Sequence, residues 1–260
     1  MLSPLFPAAA AMPETADLAA LLLNARKTGQ RLAAIPETGP CDAAQAYAVQ
    51  QAVWAELAGK QRPSVWKLGA SSRQTEPTVA PILPERTAHS TAHYPVGMFH
   101  TLGIEAEIAF CFRRDLPART PPYHRDEILD AIATAHVAME LVDSRLADPE
   151  AAGPLWRLAD SLLNGALVIG EAIPGWRRLE FSGLTARVVA DGICLAETIG
   201  RPPLDDLFFC LPWWLTQNGG ARAGDIVTTG AWNGMHPVSM PTVASVQFPG
   251  LGMVSVQIKD

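Results

Sequence analysis

Gly103-Ile104-Glu105-Ala106-Glu107-Ile108-Ala109-Phe110 decides how this chain reads. The run alternates. Ile104, Ala106, Ile108, Phe110 and Phe112 fall on one face of a strand, the period-two signature of a half-buried β-strand. Glu105, Glu107, Ala109 and Cys111 fall on the other. The apolar face predicts core. The opposite face carries two carboxylates about 7 Å apart between Cα atoms, at roughly 3.4 Å of rise per residue. Like charges at that spacing repel unless something positive lies between them. A solvated strand face is the bland solution. A hard divalent cation, Mg²⁺ or Mn²⁺, is the other, because such ions prefer carboxylate oxygens.

The bulk properties exclude several classes. At 260 residues, 48% hydrophobic and 18% charged, the chain can bury a sizeable core and is not disordered throughout. Net charge is −6, and no basic cluster stands out, so no nucleic-acid partner is expected. Cys41, Cys111, Cys194 and Cys210 form no C-x-x-C, which argues against a zinc site and a disulfide scaffold and suits a reducing cytoplasm. No apolar run approaches the ~20 residues of a membrane span. Residues 1–12 read as a loose tail without the basic start of a signal peptide.

From 13 to 60 the pattern is helical. Leu18, Leu21, Leu22 and Ala25 make one stripe, ended by Gly29. Ala46, Val49, Gln50, Val53, Trp54 and Leu57 make a second, with Asp42 as N-cap and Gly59 beyond its end. Residues 61–260 change character. Val65–Ala70 is short and strand-like, and Asp126–His136 predicts a helix followed by a strand over Val137–Val142. Asp191-Gly192 between two apolar runs is a hairpin signal. Leu204–Gln217 predicts a helix that Pro212 kinks or shortens. Val243–Phe248 and Met253–Ile258 alternate across Pro249–Gly252. The order is α+β: an N-terminal helical layer, then a mixed, mostly antiparallel rolled β-sheet in a single domain.

Four further segments carry chemistry: Val65-Trp66-Lys67-Leu68-Gly69-Ala70-Ser71-Ser72, Met139-Glu140-Leu141-Val142-Asp143-Ser144-Arg145, Leu158-Ala159-Asp160-Ser161-Leu162-Leu163-Asn164-Gly165, and Gly224-Asp225-Ile226-Val227-Thr228-Thr229-Gly230. Glu140 in the middle of an apolar strand is costly without a partner. Lys67, flanked by Trp66 and Leu68, is a partly buried ammonium that needs negative charge nearby. A snorkelling lysine and a Glu140–Arg145 pair are the structural alternatives. Asp143 and Arg145 read as a local ion pair. Asp160 is either a turn cap or a pocket acid.

With E-x-E in second place, the ordered set resembles the 2-keto-4-pentenoate hydratase branch of the fumarylacetoacetate hydrolase superfamily over about residues 65–258. The resemblance implies a rolled, largely β fold around one divalent metal, short 2-oxo or 2-hydroxydienoic acid substrates and a homo-oligomer. It makes Glu105, Glu107 and Glu140 the metal ligands, Lys67 a pocket-facing lysine and Asp160 an acid at the pocket wall. It places Thr229 near the substrate carboxylate, with Ser72 and Asn164 as further substrate contacts. His236 departs from the family pattern, and its place in the closing loop makes it a candidate acid/base and substrate contact. Thr75 stands where the family often has a catalytic acid, and Glu76 is the nearest carboxylate to replace it. Trp232–Pro237 is expected to close the pocket. The implied reaction is hydration of a 2-hydroxy-2,4-dienoate. Decarboxylation of a 2-oxo dicarboxylate would use the same metal site. So would hydrolysis of an acylpyruvate, though no H-x-x-E accompanies His89, His93 or His100. A relative that binds without turnover is the rival of another class.

Overall fold

The structure, a computed structural model, describes residues 14–33, 39–200 and 202–260. The tail at 1–12 lies outside them. Helices α1 (Thr15–Thr28) and α2 (Ala43–Ala58) come first. Gly29 closes α1 at φ 71°, a left-handed geometry that glycine adopts without Cβ strain. The Asp42 side chain accepts from Gln45 N at 2.7 Å, so the expected N-cap forms.

Strands β1 (Val65–Gly69), β2 (Thr78–Pro81), β3 (Thr87–His89), β4 (Ala92–Pro95), β5 (Gly103–Phe112) and β6 (Leu116–Pro117) follow. Helix α3 (Arg125–Ala131) leads directly into β7 (Ile132–Val142). The expected helix to His136 therefore ends five residues early. The reason is tertiary: β7 pairs with β5 from Phe112↔Ile132 to Gly103↔Val142, and that ladder overrides local helical periodicity. Short helices α4 (Pro149–Ala152) and α5 (Pro154–Ala159) precede β8 (Asn164–Ala172), β9 (Thr185–Ala190) and β10 (Ile193–Ile199). Asp191 and Gly192 both have positive φ, 49° and 80°, as a two-residue hairpin requires. Helix α6 spans only Leu211–Gln217. Pro212 sits in its first turn, where the missing N–H costs nothing, so it starts the helix rather than kinking it. Strands β11 (Gly220–Ala221), β12 (Ile226–Thr228), β13 (His236–Pro237), β14 (Thr242–Phe248) and β15 (Gly252–Lys259) complete the fold.

The large sheet runs β2-β1-β12-β5-β7-β8-β3, with β13 on β5, and a five-stranded sheet runs β10-β9-β14-β15-β4. Most pairings are antiparallel; β1–β12, β3–β8 and β4–β15 are parallel. One core cluster joins the sheets. It takes Ile104, Ala106, Ile108 and Phe110 from β5, and Val246, Phe248, Val254 and Val256 from the smaller sheet. Burial of each large side chain contributes about 1.5–3 kcal/mol. The other face of the large sheet carries the acids. A separate cluster ties α1, α2 and α5 together through Leu18, Leu22, Val49, Val53 and Trp156. Gln50 of α2 anchors this layer by donating to Leu158 O at 2.9 Å.

Candidate active site

Strand register assembles the site. Glu105 on β5 and Glu140 on β7 are direct cross-strand partners. Glu107, two residues along β5, shares their face. Like charges directly opposite one another destabilise a sheet, and two of these three are sealed: Glu107 and Glu140 are each 0% exposed. The solvated-face alternative therefore fails. One carboxylate oxygen from each of the three lies within 4.8 Å of the others.

Lys67 reaches them from β1. Its ammonium donates to Glu140 Oε1 at 2.7 Å and lies 3.7 Å from Glu105 Oε2. A third contact goes to Leu162 O at 3.1 Å. The reach is open because β12 ends at Thr228, so no strand separates Lys67 from the acids beyond that point. The chain leaves through Gly230, whose φ of 96° favours glycine and whose N–H donates to Glu107 Oε2 at 3.3 Å. Asn164, at the start of β8, donates from Nδ2 to Glu140 Oε1 at 3.0 Å. Gly165 lets β8 approach β7. A Cβ there would stand 2.7 Å from Leu141 O.

The electrostatics are unbalanced. Burial, then the charges of Glu140 and Glu105, push the Glu107 carboxyl far above its usual range, and burial does the same to Glu140 against the pull of Lys67. Burial pulls the Lys67 ammonium down, but Glu140, Glu105 and Glu107 outweigh it and hold it above its ordinary value. Three carboxylates face one ammonium. Glu107 Oε1 and Glu140 Oε2 are buried without a hydrogen-bond partner, a cost of about 1–3 kcal/mol or more each. A hard divalent cation fits this donor set, and Glu105, Glu107 and Glu140 are the residues that would hold it.

The other expected residues have hydrogen-bond partners outside the glutamate cluster. The Asp160 carboxylate is occupied by Arg145, from Arg145 Nε at 2.5 Å and Arg145 N at 3.0 Å. Asp143 and Arg145 lie 3.6 Å apart, so the local pair forms within a larger network. Glu76 is exposed and accepts from Trp213 Nε1 at 3.0 Å. Ser72 Oγ accepts from Gln74 N in the loop after β1. The Thr229 hydroxyl is buried and donates to Ile108 O. His236 Nε2 meets Asn233 O at 2.9 Å. Trp232 does not close a pocket. It turns into the core against Phe248, ring centroids 5.1 Å apart.

Two contributors carry no side-chain signal: Leu162 O and Gly230 N. Ser161, Leu162 and Leu163 all have positive φ, 53°, 54° and 62°. Three successive non-glycine residues in that region are strained. In this conformation the Leu162 carbonyl accepts from Lys67 and the Leu163 carbonyl from Asp143 N.

The family model for the fumarylacetoacetate (FAA) hydrolase C-terminal domain matches residues 55–259. The chain belongs to the fumarylacetoacetate hydrolase family. Within it, the chain is 27% identical to a 2-keto-4-pentenoate hydratase of Burkholderia vietnamiensis, over 92% of this chain and 95% of that one. It is 27% identical to the hydratase of the same name from Paraburkholderia phymatum, over 94% and 97%. Among solved structures, the 4-oxalocrotonate decarboxylase of Pseudomonas putida G7, complexed with magnesium and adipate, superposes with a TM-score of 0.79 at 20% identity. That match covers 94% of this chain and 97% of the other. The rolled, mixed sheet is thus the family's fold. No helix among the described residues is long and apolar enough to cross a membrane.

Proposed function

We propose that this family member is a divalent-metal-dependent hydratase, using Mg²⁺ or Mn²⁺. It would add water to a short 2-hydroxy-2,4-dienoate and give a 4-hydroxy-2-oxo acid. The observation that carries the reading is the cluster of Glu105, Glu107 and Glu140, with two orphaned oxygens and Lys67 across it. The hydratases that match over nearly the whole chain support the reaction class. A bound divalent ion supplies Lewis acidity toward the 2-oxo and carboxylate oxygens of such a substrate.

Proton bookkeeping defines what the residues do. Ketonisation moves the 2-hydroxyl proton to C5 of a pentadienoate. Water then adds its hydroxyl at C4 and a proton at C3. Lys67, kept protonated by three carboxylates, is a fixed donor beside the reacting oxygens and lowers the cost of developing negative charge there. Glu76 is the proton shuttle in this reading, an exposed loop carboxylate steadied by Trp213. Asn164 orients Glu140, and Asp160 acts through Arg145, which donates to Asn164 O at 2.9 Å. Ser72, Thr229 and His236 complete the substrate's surroundings.

A cytoplasmic setting belongs to the same reading, because Cys41 and Cys194 are exposed free thiols that suit a reducing compartment. So does a homo-oligomer: edge strand β10 leaves Ile193 and Ile199 exposed at 66% and 68%, surface that association commonly covers.

The test is the ultraviolet band of freshly made 2-hydroxypenta-2,4-dienoate mixed with protein and Mg²⁺. Loss of the band with formation of 4-hydroxy-2-oxopentanoate, halted by chelator, is the expected result. Loss without that product, or at the rate of the uncatalysed background, overturns the hydratase reading.

A further inference from the structure

A second, partly buried charge cluster lies between α1 and the exit of β7, and the proposed chemistry leaves part of it unused. A cavity of about 250 Å³ is lined by Arg26, Arg86, Arg145, His100, Asp143 and Phe99, among others. Three guanidinium groups face one carboxylate across it.

The acids nearby are already spent. Asp143 Oδ1 accepts from His100 N and Thr101 N, each at 3.0 Å. Asp143 Oδ2 faces His100 Nδ1 at 2.9 Å and Arg145 Nη1 at 3.6 Å. His100 Nε2 is directed at Ala25 O at 3.2 Å. Both Asp160 oxygens are taken by Arg145. Arg145 is itself committed, giving one N–H from Nη1 to Asn164 O and one from Nη2 to Asp160 O.

Arg26 and Arg86 are left over. Among the described residues the Arg86 side chain makes one hydrogen bond, to Met98 O at 3.1 Å, and leans over the Phe99 ring at 5.9 Å. Arg26 makes no hydrogen bond among the described residues, and its Nε is sealed from solvent without a partner. Burial, reinforced by the charge of Arg145, pulls the Arg26 guanidinium down to about 9. A guanidinium N–H kept from solvent without an acceptor is expensive. Its planar fork matches the oxygen pairs of phosphates and carboxylates.

We infer that this cavity binds a small oxoanion, a phosphate or a short carboxylate, gripped by Arg26 and Arg86. The site is separate from the glutamate centre and independent of the reaction assigned to it. Two interactions connect them: Arg145 to the Asn164 carbonyl, and the Asn164 amide to Glu140.

Calorimetric titration of inorganic phosphate into the full chain tests this, with chelator present so that no metal–phosphate complex forms at the glutamates. Saturable binding to the wild type is expected. Arg26→Gln and Arg86→Gln should each weaken it by about tenfold or more, the loss of a charge-assisted pair. Arg26→Gln removes an unpaired charge, so in phosphate-free buffer its melting temperature should equal or exceed the wild type's. Arg26→Lys keeps the charge without the fork and should bind between the two. A displacement arm with pyruvate separates the sources: competition assigns the site to carboxylates, and its absence to phosphate. No saturable heat overturns the inference. So does an unchanged affinity in Arg26→Gln, or equal thermal stabilisation of both proteins by phosphate, which would be the general effect of an excluded salt.

Discussion

Glu140 and Arg145 are five residues apart, and both are sealed from solvent at 0% and 1% exposure, yet they anchor opposite kinds of charge cluster. Around Arg145, donors meet acceptors. Asp160 receives its backbone and side chain, Asn164 O and Asp160 O take two more N–H groups, and Asp143 is filled by His100 and Thr101. Around Glu140, acceptors outnumber donors. Glu107 Oε1 and Glu140 Oε2 have none. A satisfied buried network fixes architecture, whereas one left short of positive charge is arranged for a ligand. In the proposed reading Arg145 and Asp160 therefore belong to the scaffold and Glu140 to the chemistry.

The largest effect expected from breaking that division is Glu140→Gln. The substitution keeps shape but removes one of three anionic oxygen donors and the charge nearest Lys67. Turnover should fall by about 10³-fold or more, roughly 4 kcal/mol of barrier. Calorimetry should show Mg²⁺ affinity lost with the fold retained. Normal metal affinity in this variant would remove Glu140 from the ligand set.

Asp160→Asn should do the reverse. It strands the Arg145 guanidinium inside the protein, and breaking a buried pair from one side costs about 3–5 kcal/mol. Denaturant melts should show that loss, while kcat of the folded fraction stays within a few-fold. A collapse of kcat with unchanged stability would move Asp160 into the active site.

The sequence made one cluster more legible than the other. E-x-E on an alternating strand announces two acids on one face, and Glu140 within an apolar run announces a third, because a charge in such a run needs a reason. Lys67 was readable for the same cause. What could not be read was the pairing: Glu105 opposite Glu140 is a matter of β5–β7 register, set by contacts far apart in the chain. The strained turn at Ser161–Leu163 and the Leu162 carbonyl leave no trace in side-chain chemistry. Arg26 lies on the last turn of α1, and no motif of the sequence singles it out. Only the packing of α1 against the β7 exit seals its Nε from solvent. The α3–β7 boundary failed for a related reason. Ile132 and Ala135 suit a helix face and a buried strand equally, and the β5 ladder decides.

Acidity sharpens the comparison further. Burial and mutual repulsion push Glu107 up to about 8 and Glu140 up to about 7, against about 4.3 for an unperturbed glutamate. Between those values the folded chain holds more protons than the unfolded one, so metal-free stability should fall as pH rises from about 5 to about 8. Mg²⁺ competes with those protons. Its stabilisation should therefore be small near pH 5 and grow through pH 8, which melting curves with and without chelator will read. A metal-free chain that grows more stable over that range would contradict the repulsive centre.

The smallest effect falls on the residue that joins the clusters. Asn164 gives its side chain to Glu140 and its carbonyl to Arg145. Asn164→Ala therefore cuts one side only. The carbonyl still receives Arg145, so the scaffold network stays whole. Glu140 loses a hydrogen bond that orients it, and loss of such an outer contact typically weakens metal affinity by about 10–100-fold. The expected variant binds Mg²⁺ about tenfold more weakly and melts within a few degrees of the wild type, in contrast to Asp160→Asn. If Asn164→Ala instead unfolds as readily as Asp160→Asn with unchanged metal affinity, the two clusters form one structural network. The division between scaffold and site would then lie elsewhere.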